Sequence, residues 1–294
     1  MSLVSLIKAN GDIEGPKKAI EKAIERIHFK INSEAKSIVI KPNLCYYWDY
    51  STGHTTDPRF VATLIDVLRK RIPDAEVSVA EADASSMKCR CAYKILGYEK
   101  MAKEKEIELV NLTEDETVES KTKVNNQEYK FRIPKTVVNA DIFINVPKIK
   151  YMSGTLMTCC LKNVFGCNPF PKKFRYHSKL NEVIVALNKL MPSDICIIDG
   201  MVVSGRHPLR LGLVMASTDP VALDAVAARI LGFDPKKIKH IVLAEKEGVG
   251  KMRSTLVGDR LQYFTERFPR KTASDKIQVS LVRPMFALYK KMVE

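Results

Sequence analysis

The sequence predicts an α/β fold: a mixed, largely parallel sheet with helices on both faces and a small inserted hairpin. Three observations predict it. Short β-branched runs alternate with segments whose apolar residues recur every three or four positions, the order that builds a parallel sheet covered by helices. Prolines and capping residues mark the starts of several helical segments. One segment, 113–135, breaks the rhythm and ends in a period-two run, which reads as a hairpin set into the α/β order.

Residues 4–8 read as a short strand and 16–27 as an amphipathic helix. The β-branched run 37–40 is a strand ended by Lys41-Pro42, because a proline and its predecessor leave regular structure. Asp57-Pro58 reads as N-cap and first helical residue of a helix through Lys70, with Val61, Leu64, Ile65 and Leu68 on one face. Strand 76–80, helix 92–105 and strand 107–112 follow. After the inserted segment, with its turn-like Asn125-Asn126, come strand 141–146, a helix-like stretch 155–164 and a loop 167–176 rich in Pro, Lys and Phe. Ser178 is the expected cap of helix 179–190. Strands 195–198 and 211–216, helix 220–231 and a short helix 235–247 complete the order.

A chain of 294 residues buries enough surface to be stable without disulfides, so its seven cysteines read as reduced thiols. Cys159-Cys160, Cys167 and Cys89-Arg90-Cys91 lack both the ferredoxin run and the paired zinc spacing. No apolar run approaches the roughly 20 residues of a membrane span, and the N-terminus has no signal-type core. The expectation is therefore a cytoplasmic protein. No Walker lysine loop, Gly-x-Gly-x-x-Gly or Gly-x-Ser-x-Gly is present, which excludes hydrolysis by the P-loop route and elbow-type esterase chemistry. The chain divides into a body, 1–250, and a basic extension, 251–294, expected to dock on it through the apolar face of a helix opening at Pro284. That extension has ten Lys/Arg against four Asp/Glu and so carries +6 of the net +14. Such an excess attracts anionic substrates and polyanions.

In open α/β sheets ligands bind beyond the carboxyl ends of the strands. The residues there are Lys41, Pro42 and Asn43; Glu81 and Asp83; Pro147, Lys148 and Lys150; Asp199 and Gly200; and Ser217, Thr218 and Asp219. If all these strands are parallel, the charged groups converge on one edge.

The ordered set Ile-Lys-Pro-Asn-Leu (40–44), Thr-Thr-Asp-Pro (55–58), Asn-Val-Pro-Lys-Ile-Lys (145–150), Leu-Lys-Asn-Val-Phe-Gly (161–166), His177, Ile-Asp-Gly (198–200) and Ser-Thr-Asp-Pro-Val-Ala-Leu-Asp-Ala-Val-Ala (217–227) resembles the family called domain of unknown function 362. The resemblance runs from about residue 39 to 250. It supports Lys41, Asn43, Asp57, Lys148, Lys150, Lys162, Asn163, His177, Asp199, Asp219 and Asp224 as motif positions. Many relatives carry ferredoxin-type iron–sulfur segments, so the resemblance implies a redox link and a ferredoxin-like partner.

Lys41, Asn43, Lys148, Lys150, Lys162 and Asn163 are accordingly the candidate binding residues for a small anion, and His177 and Asp199 the candidate catalytic ones. An embedded ammonium must be paired or hydrogen-bonded. For Lys148, Lys150 and Lys162 the readings are a bound phosphate or carboxylate, or an ion pair to Asp199 or Asp83. His177, after Lys172, Lys173 and Arg175, can act as general acid or base, or serve only to start a helix. Asp57 and Asp219 can be caps without any ligand. Asp224 lies roughly 140° around the helix from Asp219, which argues against chelation of one ion by that pair. A metal, if one binds, would draw on Asp83, Asp199 or Asp219; the cofactor is left unassigned. The expected function is a metabolic enzyme binding a small anionic substrate or cofactor in a Lys/Asn/Asp/His cleft. The alternative is a nucleic-acid- or ribosome-associated module.

Overall fold

The computed structural model describes residues 1–11 and 13–270. The first half of the chain alternates strongly: β1 (Ser2–Lys8), α1 (Gly15–Arg26), β2 (Ser37–Pro42), α2 (Pro58–Arg69), β3 (Glu76–Glu81), α3 (Cys89–Ile95), α4 (Tyr98–Lys105) and β4 (Glu108–Asn111). The hairpin β5 (Thr117–Val124) and β6 (Gln127–Pro134) follows, with the single turn α5 (Lys135–Val138) behind it. The second half holds β7 (Ile142–Val146), the short strands β8 (Lys150–Met152) and β9 (Leu156–Thr158), α6 (Cys160–Val164) and α7 (Leu180–Leu190). It continues with β10 (Ile195–Ser204), β11 (Pro208–Ser217), α8 (Pro220–Leu231), α9 (Lys239–Lys246), β12 (Ser254–Gly258) and α10 (Leu261–Arg267).

The main sheet runs β12-β1-β11-β10-β7-β2-β3-β4, with β8 and β9 attached beside β10. Strands β10, β7, β2, β3 and β4 are mutually parallel, and β11 alone runs against the other seven. Two apolar cores cover its faces. One packs α1, α2, α3 and α4 against one side; the other packs α6, α7, α8, α9 and the β5–β6 hairpin against the opposite side. The mixed, largely parallel α/β architecture with helices on both faces is therefore the fold of the chain. Asn125 and Asn126 both have positive φ, +49° and +62°, as a two-residue hairpin turn that follows the strand twist requires.

Local boundaries differ from the sequence expectation at four places. Helix 92–105 is two helices, α3 and α4, because Gly97 sits at φ +81° and turns the chain between them. The stretch 155–164 is helical only from Cys160; its first residues pair as β9 with β8. Ser178 does not cap α7: residues 173–179 form a tight turn of 3-10 type that runs directly into the helix. The two expected strands 195–198 and 211–216 are ten-residue arms of one antiparallel hairpin, β10–β11. This last difference moves chemistry. Because β11 is antiparallel, Ser217, Thr218 and Asp219 emerge at the opposite edge of the sheet from Lys41 and Glu81.

Residues 251–270 of the extension contribute β12, which pairs in parallel with β1, and α10, whose Phe264 is wholly buried. The helix expected from Pro284 lies outside the described residues.

Candidate functional site

The carboxyl ends of the neighbouring parallel strands β2 and β3 deliver Lys41 and Glu81 to the same edge of the sheet. Their charges meet: Lys41 Nζ is 2.8 Å from Glu81 Oε2 and donates also to the Pro42 carbonyl at 2.8 Å. Glu81 accepts in addition from the backbone N–H groups of Ala82 and Leu44. The pair is buried and self-compensated, which a buried ion pair needs to be tolerated. Gly166 packs directly on it. A Cβ there would come within 2.9 Å of Lys41 Nζ and 3.1 Å of Glu81 Oε1, so a side chain at this position would have to displace the ion pair.

A line of amides crosses the site from the ends of β2 and β7 to α6. Asn163 Nδ2 donates to Asn145 Oδ1 at 2.8 Å, Asn43 Nδ2 donates to Asn163 Oδ1 at 3.0 Å, and Lys150 Nζ donates to Asn43 Oδ1 at 2.6 Å. Lys150 donates also to the His54 carbonyl. Each amide thereby has its orientation fixed by its neighbour.

Lys41, Asn43, Glu81, Lys150 and Asn163 line a cavity of about 470 Å³ together with Cys45, Lys162 and Lys173, with Asn145 behind Asn163, a volume suited to a metabolite. Tyr46, Phe174 and the exposed His177 stand at its rim. Four lysines line it against one glutamate, and that glutamate is held by Lys41. Lys173 Nζ donates to the Gly166 carbonyl at 2.8 Å. The Lys162 ammonium has no hydrogen bond or ion pair among the described residues and lies 5.6 Å from the Phe165 ring centroid. Burial lowers the pKa of Lys150; burial, reinforced by the Lys150 charge, brings Lys162 down to about 8. Burial likewise brings Lys173 to about 8, against the opposing pull of Glu81. An amine with such a pKa can hold a proton on a bound anion and can also give one up near neutral pH.

The remaining sequence candidates lie apart from this cavity. Lys148 and Asp199, both wholly buried, form an ion pair at 3.0 Å. Asp199 accepts besides from the N–H groups of Asp57 and Met201, which anchors the start of α2 to β10. Neither residue lines the cavity. Asp83 accepts from the N–H of Cys89 at the start of α3 and pairs with Lys88. Asp219 caps α8 at the opposite edge, accepting from Val221 and Ala222. The three carboxylates considered for a metal thus do not come together. Reasoning on the sequence passed over Lys173, Cys45 and Asn145 as site residues. The Lys173 signal was a lysine between Pro and Phe in a loop; Asn145 stood inside a quoted motif, and nothing marked Cys45.

A second, larger depression of about 890 Å³ lies at the amino ends of β2 and β3, and its lining includes Asp74, Glu76, Glu106, Glu108, Asp115 and Glu116. With Arg69 and Lys135 the only basic groups among the described residues of that lining, the two depressions have opposite electrostatic character, and the cationic one lies beyond the carboxyl ends of the strands.

Residues 38–229 match the sequence family described as domain of unknown function 362. The chain belongs to that family. The matched span covers every lysine and asparagine that lines the cavity. Among curated proteins, the family member described here is 34% identical over 131 residues to a thylakoid-associated protein of Synechocystis sp.. That alignment takes in 40% of this chain and 41% of the relative, so the chain spans about two fifths of the curated relative it matches. Among solved structures it is similar to the lactate racemase apoprotein of Thermoanaerobacterium thermosaccharolyticum, with a TM-score of 0.46, 15% identity and coverage of 78% of this chain and 57% of that one. No helix among the described residues is long and apolar enough to cross a membrane.

Proposed function

We propose that this protein is a metabolic enzyme that takes a small anionic substrate, a carboxylate or phosphate of metabolite size, into the cavity beyond β2, β3 and β7. The observation that carries the reading is the charge imbalance of the lining: Lys150, Lys162 and Lys173 face the cavity with no carboxylate left to neutralise them. Three partly desolvated cations kept in one enclosure without counter-charge are costly. An anion removes that cost. Asn43, oriented by Asn163 and Lys150, offers a positioned amide to the same ligand. Lys162 and Lys173, with pKa values near 8, supply proton exchange at the bound group, and His177 stands at the rim as a further acid or base.

The test is native mass spectrometry of the purified full chain, followed by thermal denaturation with sulfate, inorganic phosphate and citrate. A retained small anion, or stabilisation by at least one of these that is lost in Lys162→Met, supports the reading. Absence of both, together with RNA binding of steep salt dependence, points to a nucleic-acid-binding module instead.

A further inference from the structure

Cys159 and Cys160 at the start of α6 and Asp224 on α8 are wholly buried, and one ligand-capable atom from each lies within 4.8 Å of the other two. The two Sγ atoms are 3.8 Å apart. A tetrahedral zinc ion with Zn–S bonds of about 2.3 Å has an S–S edge of about 3.8 Å. The Cys196 thiol on β10 touches that of Cys160 but also bonds the Ser193 hydroxyl at 3.2 Å and stands outside this group of three. Asp224 is held rigidly: Oδ1 accepts from the Cys160 N–H at 2.7 Å and Oδ2 from the Leu161 N–H at 3.2 Å. Each carboxylate oxygen retains a lone pair beyond those bonds, and both thiols lie against it.

Charge supplies a second argument. Asp224 sits in the interior of an almost wholly buried helix and forms no ion pair with any described residue. A buried carboxylate without a counter-charge is costly unless it neutralises or coordinates a metal. Its two amide bonds explain how α6 is capped. The thiols of Cys159 and Cys160 hydrogen-bond to the same carboxylate, which gathers three ligand-capable groups at one point.

We propose that Cys159, Cys160 and Asp224 bind a structural zinc ion. Thiolates at tetrahedral spacing suit zinc, whereas magnesium and calcium take oxygen donors. Complete burial fits a closed structural site that is loaded as the chain folds. The ion ties the start of α6, which carries Lys162 and Asn163, to α8, and so fixes one wall of the cavity. The proposal is independent of what the cavity binds.

The full chain, purified without chelators, is assayed for metals by mass spectrometry, then unfolded and refolded anaerobically with cobalt(II). One zinc per chain is expected, together with thiolate-to-cobalt charge transfer and the intense visible bands of a tetrahedral site. Cys159→Ser with Cys160→Ser removes the metal and the bands, Asp224→Asn lowers metal content at least tenfold at equal chelator, and Cys91→Ser, at an exposed thiol, leaves both unchanged. The proposal is overturned by a wild-type chain that carries no zinc and gives no thiolate–cobalt band, or by a double variant that keeps the wild-type zinc content. The cobalt spectrum of the wild-type chain decides even if every variant fails to fold.

Discussion

The Lys162 ammonium lies 5.6 Å from the centroid of the Phe165 ring and meets no carboxylate among the described residues, whereas Lys41, in the same lining, is bound to Glu81 at 2.8 Å. The two lysines thus have different physical roles. Lys41 is half of a buried ion pair, and Lys162 is the cation that the proposed function assigns to the ligand. Lys162→Met is expected to change stability by less than about 1 kcal/mol. Its affinity for sulfate falls about ten- to a hundredfold, the value of one charge-assisted hydrogen bond. Urea denaturation and calorimetric titration read the two effects separately.

The opposite outcome is expected at Lys148. Its removal strands Asp199, which is wholly buried and otherwise bonded only to backbone N–H groups. Lys148→Met should cost about 3–5 kcal/mol. Asp199→Asn in that background should recover part of the loss, because the stranded charge is gone; the amide oxygen keeps one of the two N–H bonds and the NH2 group loses the other. A double variant no more stable than Lys148→Met alone would contradict the ion-pair account.

Both caps written as Asp-Pro, at residues 57–58 and 219–220, were legible in the sequence because capping is a local interaction, and both side chains accept the expected N–H bonds. The alternation of strand and helix was legible for the same reason. Pairing over long sequence distances was not. Lys148 and Lys150 are two residues apart on the same edge, yet one meets Asp199 and the other Asn43. Nothing local to either lysine distinguishes them. The antiparallel course of β11 was equally hidden, since the turn at residues 205–207 lacks the Asn-Gly type signal, and it removed Asp219 from the site. The Cys159–Cys160–Asp224 group escaped because its members come from two helices brought together by packing rather than from one spaced motif.

Anion binding should depend on pH in a definite direction. Burial brings Lys162 and Lys173 to about 8, while an unfolded lysine titrates near about 10.4. Sulfate keeps its charge over this range. Its affinity is therefore expected to fall as pH rises through 8, as the two ammonium groups lose their protons. Stability without ligand moves the other way: between about 8 and 10.4 the unfolded chain holds protons the folded chain has released, so the contribution of these groups rises with pH. Titrations at two pH values on either side of 8 check the first sign, and urea midpoints across the window check the second.

His240 provides a separate acid-range prediction. It is wholly buried with both ring nitrogens unpartnered among the described residues, and burial, with the Lys162 charge adding to it, holds its pKa down to about 4. The folded chain keeps it neutral while the unfolded chain protonates it near about 6.5, so stability is lost as pH falls from 6.5 towards 4. His240→Leu should flatten that slope and leave stability at pH 7 unchanged or raised by about 1–2 kcal/mol. A variant that is markedly less stable at pH 7 would show that the ring has a partner the account lacks.

The central claim, that Lys150, Lys162 and Lys173 form a site for a small anion, is tested most directly by locating one. Crystals of the full chain soaked in selenate give an anomalous signal at every bound ion. The account predicts a selenium peak inside the cavity, within hydrogen-bonding reach of the Lys162 ammonium and absent in crystals of Lys162→Met. Peaks confined to exposed surface lysines, with the cavity holding only water, would contradict it.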